Sequence, residues 1–142
     1  DDLNDYVWPE LKHFDLDKYL KRNITDIGIV FNLDDHDEPG SHWVTLYIDL
    51  NNHIIYFFDS AAGTIPKNVK CIIDKVKNNN YEIQFKTKTN YPLEHQSRDG
   101  ECGMYSIYFL TEMISKNKSW DYFSKQKIPD KEMEKLRNKL FN

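Results

Sequence analysis

The sequence predicts an α+β fold, a small mixed β-sheet packed on a central helix. Three observations predict it. His42–Leu50 (HWVTLYIDL) and His53–Asp59 (HIIYFFD) are rich in β-branched and aromatic residues, and only Asn51-Asn52 parts them, the pattern of a tight β-hairpin. Val69, Ile72, Ile73 and Val76 follow the i, i+3, i+4, i+7 spacing of an amphipathic helix. In Glu101–Lys116, Cys102, Tyr105, Phe109 and Met113 share one face while Ile107, Leu110 and Ile114 widen it, so this helix is expected to be buried on most sides.

The remaining elements fall between these anchors. Asp15–Arg22 (DLDKYLKR) reads as a short helix with Leu16, Tyr19 and Leu20 on one side. Ile27–Leu33 is a short apolar strand, and residues 34–41 (DDHDEPGS) form an acidic, turn-rich loop. The run Ile54–Phe58 is apolar on both faces, which marks a buried central strand. Tyr81, Ile83 and Phe85 alternate with Glu82, Gln84 and Lys86, as in a half-exposed strand. Asn90–Gly100 is a loop. Asp130–Asn142 is a helix with Asp130 as its N-cap and Met133, Leu136 and Leu140 inward.

A chain of 142 residues suits a single domain, here expected to span 1–142 and to be shortened at its N-terminus, because the first residue is Asp rather than Met. Fourteen per cent aromatics and a net charge of −4 exclude a disordered chain. No apolar run approaches the ~20 residues of a membrane span, and DDLNDYVWPELKHF has no signal-peptide pattern. Charge is uneven, with 13 acidic and 4 basic side chains in residues 1–60 and the excess basic thereafter. The later lysines form no dense run, so two halves that attract each other account for the imbalance better than a nucleic-acid partner. Two cysteines, Cys71 and Cys102, make no disulfide framework, and they point to an intracellular, reducing compartment. The five histidines and two cysteines lack metal-ligand spacing, so neither metal nor cofactor is expected. Oligomeric state has no signature in the sequence.

One constellation carries chemistry. Cys102 follows a polar, Gly100-bearing loop, precedes Gly103, and opens the long helix. Unpaired N–H groups and the positive dipole end at such a position stabilise a thiolate, typically moving its pKa into the ~3.5–7.5 range. The plain alternative is a small buried hydrophobe, the usual fate of a free cysteine. A nucleophilic thiolate requires a base and a group to orient that base. His13, His36 and His53 lie in polar or turn segments, and His95 adjoins Gln96. His42 opens a strand after a Gly-containing loop, and Asp59 ends the facing strand, so both reach the same sheet edge. An imidazole–carboxylate bond there would fix the tautomer and stabilise the imidazolium. Gln96, six residues before Cys102, can offer its side-chain amide to an oxyanion beside the Cys102 N–H.

Together, His42-Trp43, YFFDS ending in Asp59, and Gln96-S-R-D-G-E-Cys102-Gly103 resemble the superfamily of SUMO/ubiquitin-like-protein proteases and adenain, whose order is His, acid, Gln, Cys. The strings HWVTLYID, YFFDSAAG, HQSRDGECGMYSIYFL and IPDKEMEKLRNKLF resemble the African swine fever virus-type polyprotein-processing proteases of large DNA viruses. The likeness runs from about residue 27 to the C-terminus. It departs at three points, one being an N-terminal portion short compared with either branch. The viral branch carries Asn where this chain has Asp59, and the deSUMOylating branch usually has Asp where this chain has Glu101.

The resemblance implies an adenain/SUMO-protease-like fold and a cysteine endopeptidase or isopeptidase. Cys102 would be the nucleophile, His42 the base and later acid, Asp59 its orienter, and Gln96 with the Cys102 N–H the oxyanion hole. Trp43 would roof a narrow channel, with Gly103 beside it. Substrates would be a viral polyprotein or a ubiquitin-like protein cut after Gly-Gly through a thioester. The alternatives are an acyltransferase of the same superfamily and a non-catalytic module that grips a ubiquitin-like tail.

Overall fold

A computed structural model describes residues 14–33, 42–97 and 101–141. Helix α1 (Leu16–Lys21) starts where the Asp15 carboxylate accepts the Asp17 N–H at 3.1 Å, and it buries Leu16. Strands β1 (Asp26–Asn32), β2 (Trp43–Asp49) and β3 (Ile54–Phe58) run antiparallel in sequence order. Helix α2 (Lys67–Lys77) then crosses the sheet, and β4 (Lys86–Thr89) returns parallel to β3. Helices α3 (Cys102–Ser115), α4 (Trp120–Lys125) and α5 (Asp130–Phe141) complete the described chain.

The two-residue period of the strands explains the layers. Val44, Leu46 and Ile48 of β2 and Ile55 and Phe57 of β3 point to one face, where they meet Val69, Ile72, Ile73 and Val76 of α2. Tyr47, Tyr56 and Phe58 point to the other, against Met104, Tyr105, Phe109 and Met113 of α3, with Phe123, Ile128 and Met133 behind. Helices cover both faces, so β3 can be apolar throughout, as its sequence predicts. Phe58 stacks on Phe109 with ring centroids 4.6 Å apart and planes within 4°. That stack joins the end of β3 to the middle of α3, and so ties the residue after β3 to the helix that begins at Cys102.

Several expectations need correction. Ile107 and Ile114 on the outer side of α3 remain about two-fifths exposed, so the wide apolar face is only partly covered. The hairpin turn takes four residues, 50–53, because the last pair is Asp49 with Ile54. The Asp49 carboxylate gathers the N–H groups of Asn51 and Asn52 and the Asn52 side chain, and His53 closes the turn with φ 60°. Tyr81–Phe85 is not a strand. The Asn79 side chain accepts the N–H groups of Tyr81 and Ile83 and donates to the carbonyls of Val76 and Ile83, folding this stretch into a turn. The strand starts at Lys86 instead. Asp130 is buried, and its carboxylate accepts the Tyr105 hydroxyl and the Ser97 N–H. Leu140 is half exposed rather than inward. The expectations for residues 1–13 and 34–41, with His13 and His36, and for the loop residues 98–100, lie outside the described residues.

Candidate active site

His42 is held by its backbone before its side chain matters. Its carbonyl accepts the Leu33 N–H at 2.7 Å, which fastens it to the end of β1, and β2 begins at the next residue. On the partner strand the last paired residues are Thr45 and Phe58, so Asp59 emerges at the same end of the sheet. The His42 Nε2 and Asp59 Oδ1 are 2.8 Å apart. Asp59 is itself gripped from several sides. Its Oδ1 also accepts the Ala61 N–H at 2.9 Å, and its Oδ2 accepts the Gly63 N–H at 3.1 Å. Asn90 clamps the backbone, accepting the Asp59 N–H at 2.9 Å and donating to the Asp59 carbonyl at 2.7 Å. With its side chain almost wholly buried and its rotamer fixed, Asp59 cannot swing away from the imidazole.

Cys102 is the first residue of α3, where helical N–H groups have no intrahelical acceptors. The Trp43 N–H donates to Cys102 Sγ at 3.4 Å, and the Ser106 hydroxyl donates to the Trp43 carbonyl at 3.5 Å. Two contacts thus stitch the start of β2 to the first turn of α3, and they bring His42 within hydrogen-bond reach of the Cys102 sulfur. Nε2 is engaged by Asp59, which leaves Nδ1 as the nitrogen that faces the thiol.

Electrostatics follow from this geometry. The hydrogen bonds of His42 to Asp59 first and Cys102 second outweigh burial and raise the imidazole pKa to about 10. Burial alone would push the Cys102 thiol up. The His42 hydrogen bond and the N–H groups of Trp43 and Gly103 overcome it and hold the thiol below its usual range. The two shifts share one cause, the hydrogen bond between the Cys102 thiol and an imidazole held by a fixed carboxylate.

Gln96 is buried, and its Oε1 accepts the Ser60 hydroxyl at 2.5 Å while its N–H donates to the Ser60 carbonyl at 3.0 Å. With Oε1 occupied by a hydroxyl, the amide NH2 is the end presented in the other direction. Trp43, Cys102, Gly103, Met104, Ile107, Arg137 and Phe141 line a cleft of about 420 Å³. A Cβ on Gly103 would stand 3.8 Å from Trp43 Cδ1, ordinary contact, so packing alone does not demand glycine there.

His95 turns away. It is fully buried, with Nδ1 accepting the Ile128 N–H at 2.9 Å and Nε2 donating to the Phe123 carbonyl at 2.7 Å. Burial lowers its pKa, and the two bonds fix it as the neutral Nε2–H tautomer. His53 packs edge-on against Phe85 at the hairpin turn, remote from this sheet edge. Sequence reasoning missed Asn90, Ser60 and Gly63. Ser60 and Gly63 had a signal, as members of the YFFDSAAG string that follows β3, and Asn90 had none.

Known proteins resemble this chain in sequence and fold. A cysteine protease of African swine fever virus is 31% identical over 140 residues, covering 96% of this chain and 50% of its own length. The counterpart from another isolate, named SUMO-1 cysteine protease, has the same identity and coverage. The chain therefore spans about half the length of these curated relatives. A crystal structure of the African swine fever virus protease superposes with a TM-score of 0.83 and 26% identity, over 97% of this chain and 56% of that one. ChlaDub1 from Chlamydia trachomatis shares the fold at a TM-score of 0.61 and 16% identity, over 87% of this chain and 60% of its own. Residues 20–142 match the C-terminal catalytic domain of the Ulp1 protease family, and the chain belongs to that family.

Proposed function

We propose that the chain is a cysteine peptidase that cuts a polypeptide after a small residue, of the Gly-Gly-X type, through a thioester on Cys102. The observation that carries the proposal is His42 bonded at once to a fixed Asp59 carboxylate and to a thiol held below its usual pKa. His42 takes the Cys102 thiol proton as the base, and the resulting imidazolium is the acid of the next step. The Cys102 thiolate attacks the scissile carbonyl carbon, and the carbonyl electrons move onto oxygen, where the Cys102 N–H and the Gln96 amide meet the charge. The tetrahedral intermediate collapses, the C–N bond breaks, and the His42 Nδ1–H protonates the leaving amine. Neutral His42 then removes a proton from water, whose oxygen attacks the thioester. A second collapse releases the carboxyl product and returns the thiolate and imidazolium.

Trp43 roofing the approach and Gly103 beneath it would favour a substrate chain without β-carbons next to the scissile bond. The name of the SUMO-1 cysteine protease relative supports a ubiquitin-like precursor as substrate, and the likeness of the motif strings to viral processing proteases is the ground for a viral polyprotein as the other class. Both cysteines are free, which suits a reducing intracellular compartment.

A peptide ending in Gly-Gly-vinyl sulfone, followed by mass mapping of the adduct, tests the proposal. Labelling at Cys102 that survives Cys71→Ser and disappears in Cys102→Ala is expected, together with cleavage of Gly-Gly-X peptides. Labelling at Cys71, or none with no cleavage across a panel of polyprotein and ubiquitin-like junctions, would overturn it.

A further inference from the structure

Immediately before Cys102 stands a second carboxylate, Glu101, whose side chain is only 13% exposed. A negative charge here has opposing consequences. At the start of a helix it complements the dipole, yet beside a thiolate and a developing oxyanion it repels both. The structure contains a counter-charge. Arg137, two turns into α5, brings Nη2 to 3.1 Å from Glu101 Oε2, an ion pair without the alignment of a hydrogen bond, and lines the same cleft as Cys102. Glu101 also supplies the first carbonyl of α3, which accepts the Tyr105 N–H at 3.0 Å, so whatever holds Glu101 holds the peptide that ends in the Cys102 N–H.

We propose that Arg137 is a positioning residue that neutralises Glu101 beside Cys102, so that the thiolate and the oxyanion face only His42 and N–H donors. The proposal rests on Cys102 as the nucleophile. His42 ahead of β2 reaches that sulfur with Asp59 behind the imidazole at the end of β3, while Glu101 adjoins Cys102 in the chain and Arg137 of α5 lines the same cleft. Removing Arg137 leaves the Glu101 charge uncompensated. Removing both charges restores the balance, a sign pattern that loss of packing does not reproduce.

The experiment measures the rate of iodoacetamide alkylation of Cys102 against pH in a Cys71→Ser background, with thermal melts to confirm folding. This readout needs no substrate. Arg137→Ala is expected to raise the alkylation midpoint by about half to one pH unit, from one unit charge at partly screened distance. Arg137→Lys is expected to recover most of the shift, Glu101→Gln alone to leave the midpoint at or below wild type, and the Glu101→Gln/Arg137→Ala pair to return it to wild type. An unmoved midpoint in Arg137→Ala, or a shift that persists in the double variant, overturns the inference while the catalytic assignment stands. A wild-type Cys102 that titrates like an ordinary thiol overturns the catalytic assignment itself, and this inference with it.

Discussion

Ser60 and Gln96 are joined twice, by the Ser60 hydroxyl on Gln96 Oε1 at 2.5 Å and by the Gln96 N–H on the Ser60 carbonyl at 3.0 Å. The same carbonyl takes the His95 N–H at 2.8 Å. Ser60 follows Asp59, so the residue that orients the imidazole and the one that aims the amide are neighbours in sequence. A displacement of the chain after β3 would disturb both functions together.

Gln96→Ala is expected to slow the chemical step by about 10²–10³, with substrate affinity little changed, as when one oxyanion donor is lost. Ser60→Ala leaves the amide present but loosens its aim, and a drop of roughly tenfold is expected. Single-turnover rates separate the two, and a Gln96→Ala rate within about twofold of wild type would remove Gln96 from the oxyanion hole.

Asp59→Asn is expected to be milder than His42→Ala. An amide oxygen can still accept from the imidazole N–H and the Ala61 N–H, but imidazolium stabilisation is lost, lowering acylation by about 10–10³. Equal inactivity of the two variants would make the carboxylate charge indispensable.

Gly63→Ala tests the grip on Asp59 from the other side. A Cβ there would stand 2.7 Å from Asp59 Oδ2, closer than real Cβ contacts allow, and that oxygen accepts the Gly63 N–H. Either the carboxylate or the turn that carries residue 63 must shift, and a loss of about tenfold or more in kcat with a lowered His42 pKa is expected. A crystal structure of the variant with Asp59 unmoved and full activity would contradict this.

The pH dependence of kcat/KM follows from the ion pair. The active form needs the thiolate and the imidazolium together, so the acid limb reports the lowered Cys102 thiol and the alkaline limb lies near about 10 for His42. In Cys102→Ala the thiolate is gone while Asp59 remains. By NMR titration, His42 is expected to fall from about 10 yet stay above its ordinary 6.5.

His95→Ala is expected to cost about 2–4 kcal/mol of stability, because it strands the Phe123 carbonyl and the Ile128 N–H in the core. Its activity per folded molecule is expected to change far less than that of His42→Ala. The folded pKa lies below the unfolded value near 6.5, so this stabilisation is present above 6.5 and is lost as pH falls through the folded value. Urea midpoints measured from pH 7 to pH 5 check the sign.

Local pattern sufficed wherever one element settles its own burial. The period of Val69–Val76 and the doubly apolar run Ile54–Phe58 identify elements whose own side chains show which faces are buried. His42, Asp59 and Cys102 could be named because chemistry restricts those roles to few residue types and because motif order is itself sequence information. Tertiary structure alone decided the rest. The alternation of Tyr81, Ile83 and Phe85 matches a strand, but four hydrogen bonds to Asn79 outweigh it. Ile107 and Leu140 match the helical period yet stay exposed, because period fixes which face a residue is on and not whether another layer covers that face. Helix α4 is six residues long with one buried side chain, too short for a period to show. Asn90, Ser60, Gly63 and Arg137 are ordinary polar or small residues in the sequence. Each acquires its part only when the fold brings it against Asp59, Gln96 or Glu101, since a hydrogen bond or ion pair depends on where two atoms meet in space and not on their separation along the chain.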